Sequence, residues 1–337
     1  MKKTLQEILF QPQAWQKTID SYGKKKSDIM EYLMKYQDSE LIFTGCGSSY
    51  YLSLIAAALY TQLNHLRAQG VPASEINLFP GTIFARGQKY LLIPISRSGK
   101  TPETVEAIKY FQKEFSEGRL LITCTAESEM ANICEKVFFC PAAAEETKYM
   151  TKSFTSMLLA CQLIIAYRAG NKAYIEELSK LPDQGERLIR QYQSYLQKLA
   201  KRKEFTLYVY LGHGPLYGIA AESMLKIKEM ACTPAEAYFG MELMHGPKYA
   251  VNDRTFITYF LSDSAKEQQI DLLKKIRNLE AKVAVICDET SPELTNTADY
   301  VINLQSGLSD YSRLILTMLI SQLYAYYRAL AMGQDIE

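Results

Sequence analysis

The sequence predicts an α/β protein in which one unit, a parallel sheet flanked by helices on both faces, is used twice in tandem. Three observations carry this prediction. Short apolar runs alternate with segments of helical length from residue 39 to residue 169. The alternation stops across the polar stretch 171–203 and then restarts. The two stretches also match each other: "LIFTGCGSSYYLSLIAAAL" aligns with "LYVYLGHGPLYGIAAESML", "LLIPISRSGK" with "FITYFLSDSAK" and "LLITCTAES" with "VAVICDETS", at nearly the same separations.

In chain order, residues 1–38 read as an amphipathic helical arm. Leu5, Ile8 and Leu9 share one face, and Pro12 forces a break before a second helix. The first domain, residues 39–170, runs strand 41–44 into helix 49–63, strand 90–95 into helix 101–115, and strand 119–123 into helix 127–135. A longer helix, 151–169, closes it. Residues 171–203 lack a strong apolar run and read as a helical linker. The second domain, residues 204–337, repeats the order: strand 206–211 into helix 216–231, strand 255–261 into helix 266–279, strand 282–287 into helix 293–298.

With 337 residues, 48% of them hydrophobic, the chain can bury a sizeable core. Lys plus Arg total 38 against 37 for Asp plus Glu, so no overall field draws it to nucleic acid or to an anionic membrane. Any anion must be held locally. The seven cysteines are odd in number, scattered and free of C-x-x-C spacing, which suits a reducing cytoplasm. Gln6, Glu7, Gln11 and Gln13 interrupt the N-terminus, which fails as a signal peptide. The apolar run 157–167 is too short to span a bilayer, and 314–330 contains Gln322 and Arg328, so both read as buried helices.

The richest corner is "PISRSGKTPETVEA". Ser96, Ser98 and Thr101 follow the second strand, and Ser48 and Ser49 follow the first inside "GCGSSY". In an open parallel sheet, ligands sit beyond the carboxyl ends of the strands, where helices present unpaired N–H groups. Gly45, Gly47 and Gly99 let the backbone turn tightly and approach an anion, while short hydroxyls add directional donors. A phosphate fits this pattern; the plain alternative is that these hydroxyls cap the following helices. In the second half, "SDSAK" places Asp263 and Ala265 where the first has Arg97 and Gly99, setting a negative charge where an anion would sit. One phosphate site, in the first half, is expected.

A nicotinamide cofactor is not expected. "GCGSSY" lacks the third glycine of the dinucleotide fingerprint, and "GHGPLYG" has the wrong spacing and a proline, Pro215, that withholds an N–H. No paired His or Cys spacing points to a metal.

In "AAESMLKIKEMA", Glu222, Lys226 and Glu229 fall on one helix face. Such a stripe is ordinarily a solvated salt-bridge ladder. Here it lies on a helix leaving the ligand edge of the sheet, and its counterpart in the repeat is apolar. Of the three histidines, His65 sits in a polar stretch, His213 in the glycine-rich turn, and His245 on a loop bounded by Gly246 and Pro247. A loop imidazole is either structural or placed to move protons near neutral pH.

Taken together, "EILFQPQAW", "GCGSSY", "ISRSGKTPET", "YMTKSFTSM", "AESMLKIKEM" and "AEAYFGMELMHGPKY" resemble the sugar isomerase (SIS) family with two tandem domains, over nearly the whole chain. The likeness is to the isomerase half of glucosamine-6-phosphate synthase and to the AgaS-type amino-sugar-phosphate isomerase/deaminases. The resemblance implies a phosphate loop of Ser96, Arg97, Ser98 and Thr101 with Ser49, and Ser48 as its neighbour. It also implies a proton-shuttling base at Glu229 with companions Glu222 and Lys226, and a ring-opening histidine at His245. The family's dimers imply that His245 serves the other subunit's site. Three departures from the synthase are expected: no glutaminase activity, no closing lysine tail of the kind that would begin at Glu337, and Met150 within "KYMTKSF" where the synthase has a serine, a change expected to alter contacts to the sugar's C1 or C2 substituent.

The expected activity is therefore a phosphosugar aldose-ketose isomerase/deaminase acting on an amino-sugar 6-phosphate, without cofactor or metal. A cytoplasmic homodimer is expected, with a small-molecule substrate as its partner. The same residues serve a fructosamine-6-phosphate deglycase through the same enaminol, and the same fold serves non-catalytic phosphosugar sensors.

Overall fold

The computed structural model describes residues 2–336 and consists of two compact units, residues 10–182 and residues 2–9 with 183–336. Both contain a five-stranded, wholly parallel sheet with helices on its two faces, so the α/β class of two tandem units holds. The N-terminal segment read as a single arm is shared out. Helix α1 (Lys3–Leu9) belongs to the second unit, where the Thr4 hydroxyl donates to the Ile336 carbonyl at 2.6 Å. Helix α2 (Gln11–Met34) begins the first unit with Pro12 in its opening turn, where a missing N–H costs no hydrogen bond. It buries Trp15, Tyr22, Ile29 and Leu33.

The first unit continues with β1 (Glu40–Gly45), α3 (Ser48–Asn64), β2 (Ala68–Pro72), α4 (Ala73–Leu78), β3 (Tyr90–Ser96) and α5 (Pro102–Phe115). It ends with β4 (Leu120–Thr123), α6 (Glu129–Ile133), β5 (Lys136–Phe139), α7 (Lys152–Arg168) and α8 (Lys172–Ser179). The division at 182/183 falls inside the stretch read as a linker, and α9 (Leu181–Leu199) leads into the second unit. There follow β6 (Leu207–Gly212), α10 (Pro215–Ala231), β7 (Ala235–Phe239), β8 (Thr255–Phe260) and α11 (Lys266–Arg277). The last elements are β9 (Lys282–Cys287), α12 (Pro292–Thr297), β10 (Tyr300–Asn303) and α13 (Leu314–Ala331).

The sheets share one topology, β2-β1-β3-β4-β5 and β7-β6-β8-β9-β10. In each, the strand order reverses beside the first strand, between β1 and β3 and again between β6 and β8. Open parallel sheets bind ligands at that reversal, beyond the carboxyl ends. Central strands are sealed on both faces, as β3 shows with all seven residues buried. One face of the first sheet packs Ile42, Leu92 and Leu121 against Val105, Ile108 and Phe111 of α5; α3 and α7 lie on the other side. In the second unit, Val209, Ile257 and Val283 pack against Leu273 and Ile276 of α11 and Leu294 of α12.

Helix α13 has the length and composition of a membrane span, but 89% of it is buried inside the protein, as a core helix should be. The four outermost strands, β2, β5, β7 and β10, were absent from the sequence reading. They are short and mostly half-buried; β2, β5 and β7 have Gly70, Lys136 and Glu236 within them, and β10 is only four residues long.

Candidate functional site

Between β1 and α3 the turn consists of Cys46 and Gly47 alone. A side chain at Gly45 would put its Cβ 2.6 Å from the Ser49 Cβ and 2.8 Å from the Ile95 carbonyl oxygen, so only glycine lets this turn close onto β3. Ser48 and Ser49 then start α3, both 5% exposed. In the turn after β3, the buried Ser96 Oγ accepts the Gly99 amide at 3.1 Å, and the exposed Ser98 Oγ accepts the Lys100 amide at 3.3 Å. Gly99 has φ 64°, and a Cβ there would meet the Ser128 Oγ at 2.1 Å.

The N-cap residues are Gly47 and Thr101, and neither makes a side-chain cap hydrogen bond. Among the described residues, no hydrogen bond is formed by the Ser49 or Thr101 hydroxyl. The corner therefore keeps the Ser49 and Thr101 hydroxyls uncommitted beside the reversal point of the first sheet.

Two cations belong to this corner. Lys100 is exposed. Arg97, expected as a phosphate-loop residue, has its Nη1 committed to its own unit: it donates at 3.2 Å to the Glu145 carboxylate and to the Thr147 and Lys148 carbonyls. Glu145, with a fully buried side chain, also accepts the Thr151 hydroxyl at 2.9 Å and the Ser153 amide at 3.0 Å. An acid at a helix N-terminus is favourable. Glu145 thus ties the loop before α7 to the serine turn.

On α10, Lys226 Nζ lies 3.3 Å from Glu222 Oε1 and 2.6 Å from Glu229 Oε2. The Glu222 and Lys226 side chains are fully buried and that of Glu229 is 37% exposed, so this is no solvated ladder. Burial alone would depress the Lys226 pKa, but the Glu222 and Glu229 carboxylates outweigh it and raise the value above the ordinary one. Two carboxylates thus share one buried cation, and the partly exposed one can accept and return a proton.

The N-cap glycines Gly47 and Gly214 have nearly the same backbone, φ 56° with ψ −124° and φ 52° with ψ −132°. Counted from them, the first-unit counterparts of Glu222, Lys226 and Glu229 are Ile55, Leu59 and Gln62. His245 ends the 3-10 turn Gly240–Met244, exposed, and its imidazole bonds no described residue. His213, counterpart of Cys46, has its Nε2 2.8 Å from the Tyr259 hydroxyl, and burial lowers its pKa. His65 only closes α3 with φ 56°.

In the second unit the turn after β8 is already filled. The Asp310 carboxylate accepts the Asp263 amide at 2.9 Å on each oxygen, the Ser264 amide at 3.3 Å, and the Ser262 hydroxyl. Arg313 donates to Asp310 and, at 2.8 Å, to Asp263 Oδ2. Asp263 was expected to supply the charge at this corner; its side chain turns to Arg313, and the charge on the amides belongs to Asp310. A cavity of about 310 Å³ beside it is lined by His213, Leu216, Met241, Ser264, Gln268 and Tyr311, as well as by Asp310.

Each unit thus gathers its expected residues: Ser48, Ser49, Ser96, Arg97, Ser98 and Thr101 at one sheet edge, and Glu222, Lys226 and Glu229 on one helix face. Sequence reading missed Glu145, Asp310 and Arg313. The only available signal was an acid between the last strand and the last helix of both halves, in "AAAEETKYM" and "SGLSDYSR".

The sequence pattern of the SIS domain matches residues 35–167 and 199–332. The chain is 27% identical to glutamine–fructose-6-phosphate aminotransferase (isomerizing) of Chlamydia abortus over 99% of its own length and 56% of that protein's, so it spans little more than half of that relative. It is 25% identical to D-galactosamine-6-phosphate deaminase AgaS of Escherichia coli, with 98% of this chain and 89% of the relative aligned. Among solved structures, tagatose-6-phosphate ketose/aldose isomerase from Escherichia coli superposes with a TM-score of 0.91 at 24% identity, over 99% of this chain and 94% of that one; this is a likeness of fold.

Proposed function

The chain belongs to the SIS domain family, and from that premise we propose that it is a phosphosugar isomerase/deaminase acting on a 2-amino-2-deoxyaldose 6-phosphate. The observation that carries the reading is the serine corner, where the Ser49 and Thr101 hydroxyls bond no described residue at the reversal point of a parallel sheet. A phosphate held there by Ser49, Ser96, Ser98 and Thr101, with Ser48 and the Arg97 and Lys100 charges nearby, is remote from the reacting carbons. Its binding energy positions the open-chain sugar.

Glu229 then removes the C2 proton beside the C1 aldehyde and returns it to C1. The product is a C2 imine, which water converts to a ketose 6-phosphate and ammonia. Lys226 and Glu222 orient and charge-balance the base. His245 moves the proton between ring oxygen and O1 that opens the ring, and in a homodimer it serves the neighbouring copy.

The test is direct. With glucosamine 6-phosphate or galactosamine 6-phosphate, the protein should release ammonia and ketose 6-phosphate in equal amounts, and Glu229→Gln should bind the same sugars without turnover. Silence on both sugars alongside turnover of a fructosamine 6-phosphate, or binding with no turnover of any phosphosugar, would overturn the reading.

A further inference from the structure

The serine corner occurs twice in this chain, and its second copy has an occupant. In the second unit, consecutive amides of Asp263 and Ser264 and the Ser262 hydroxyl converge on one carboxylate, that of Asp310, 46 to 48 residues away in sequence. Successive N–H groups converging on an oxyanion form the nest that elsewhere holds phosphate. The Arg313 guanidinium, 3% exposed, completes the cage from the far side. In the first unit the amides at the matching places are those of Arg97 and Ser98, and no described carboxylate accepts from them. The acid from the matching segment, Glu145, is turned instead to Thr151, Ser153 and the Arg97 side chain.

We propose that Asp310 is a resident anion plugging a second phosphosugar site. The corner after β8 retains the donors of a phosphate pocket, and the chain's own carboxylate occupies the phosphate position. Asp310 lines the cavity of about 310 Å³ at this corner, so removing its carboxylate would open the nest to a space large enough for a sugar phosphate. Arg313, relieved of one of its two carboxylates, would become the counter-charge. Rejection of phosphate here is then a property of one side chain, and each chain takes a single phosphosugar, at the first corner. The inference rests on the reading that the first corner binds phosphate.

The experiment counts sites. Equilibrium titrations with glucitol 6-phosphate, and separately with inorganic phosphate, should give one site per chain for the wild type and two for Asp310→Ala and Asp310→Ser. Ser262→Ala added to either variant should weaken the new site alone. A wild type that binds neither ligand defeats the functional reading; a wild type with one site whose folded Asp310 variants still show one defeats the plug. Two sites in the wild type defeat it as well. Should both variants fail to fold, phosphate or acetate added during refolding should restore them by filling the nest, and absence of rescue by either anion overturns the proposal.

Discussion

The two units have one topology but different chemistry. The first keeps a serine corner in which the Ser49 and Thr101 hydroxyls bond no described residue, and sets beside it a helix, α3, that carries Ile55, Leu59 and Gln62. The second closes its corner with Asp310 and gives the matching helix, α10, the triplet Glu222, Lys226 and Glu229. The second unit holds its carboxylate–ammonium cluster and an amide nest around an internal carboxylate together, so the two copies differ in which groups fill their corners and not in the backbone that forms them.

The largest effect should come from making α10 resemble α3. Glu229→Gln installs the first unit's residue, and kcat for ammonia release should fall by about 10²–10⁴-fold, the usual worth of a general base. KM should stay within a few-fold, because the carboxamide keeps the shape and the phosphate grip lies elsewhere. A kcat unchanged in steady-state assays would show that the proton moves by another route.

The buried pair beside it gives the next contrast. Lys226→Leu leaves Glu222 in the core without its cation and should cost about 3–5 kcal/mol in urea unfolding, the typical penalty for breaking a buried pair. Glu222→Ile combined with Lys226→Leu rebuilds the apolar pair Ile55 and Leu59 and should recover most of that loss. A double variant as unstable as the single would mean that the helix is held by something other than charge pairing.

At the corners the asymmetry should appear in binding. Ser98→Ala or Thr101→Ala removes one bond to a doubly charged group, worth about 1.5–3 kcal/mol, so KM for a sugar phosphate should rise about 10–100-fold. Ser264→Ala in the second unit should leave KM unmoved. Equal effects from the two corners would erase the distinction drawn between them.

How much of this the sequence disclosed follows from how local each feature is. Strands β1, β3, β6 and β8 were legible because burial on both faces demands an unbroken apolar run, as in "LLIPIS". Edge strands pair on one side only, and segments such as "AQGVP" and "YVIN" satisfy that with no distinctive pattern. The serine corner and the carboxylate stripe were visible because their residues lie within one turn or one helix face. Burial of the stripe was not, since the i, i+4 and i, i+3 spacing is the same for a solvated ladder. Glu145 and Asp310 escaped notice because their partners lie up to 48 residues away and meet them only once the sheet has formed.

The smallest expected effect concerns the first turns, where His213 stands in the place of Cys46. Burial lowers the His213 pKa below the ordinary value of about 6.5. The unfolded chain therefore takes up this proton at a higher pH than the folded one does. Between the unfolded and the lowered folded value the unfolded state binds more protons, so stability declines as pH falls through that window and levels off below it. His213→Cys installs the first unit's residue and removes this titration, so its unfolding midpoint should follow the wild type's above neutrality and lose less as the pH falls below about 6.5. The Tyr259 hydroxyl, 2.8 Å from the imidazole, loses its partner in the variant, which should lower stability by a constant amount at every pH. A pH-independent difference alone would assign His213 a packing role and leave the acid limb to other groups.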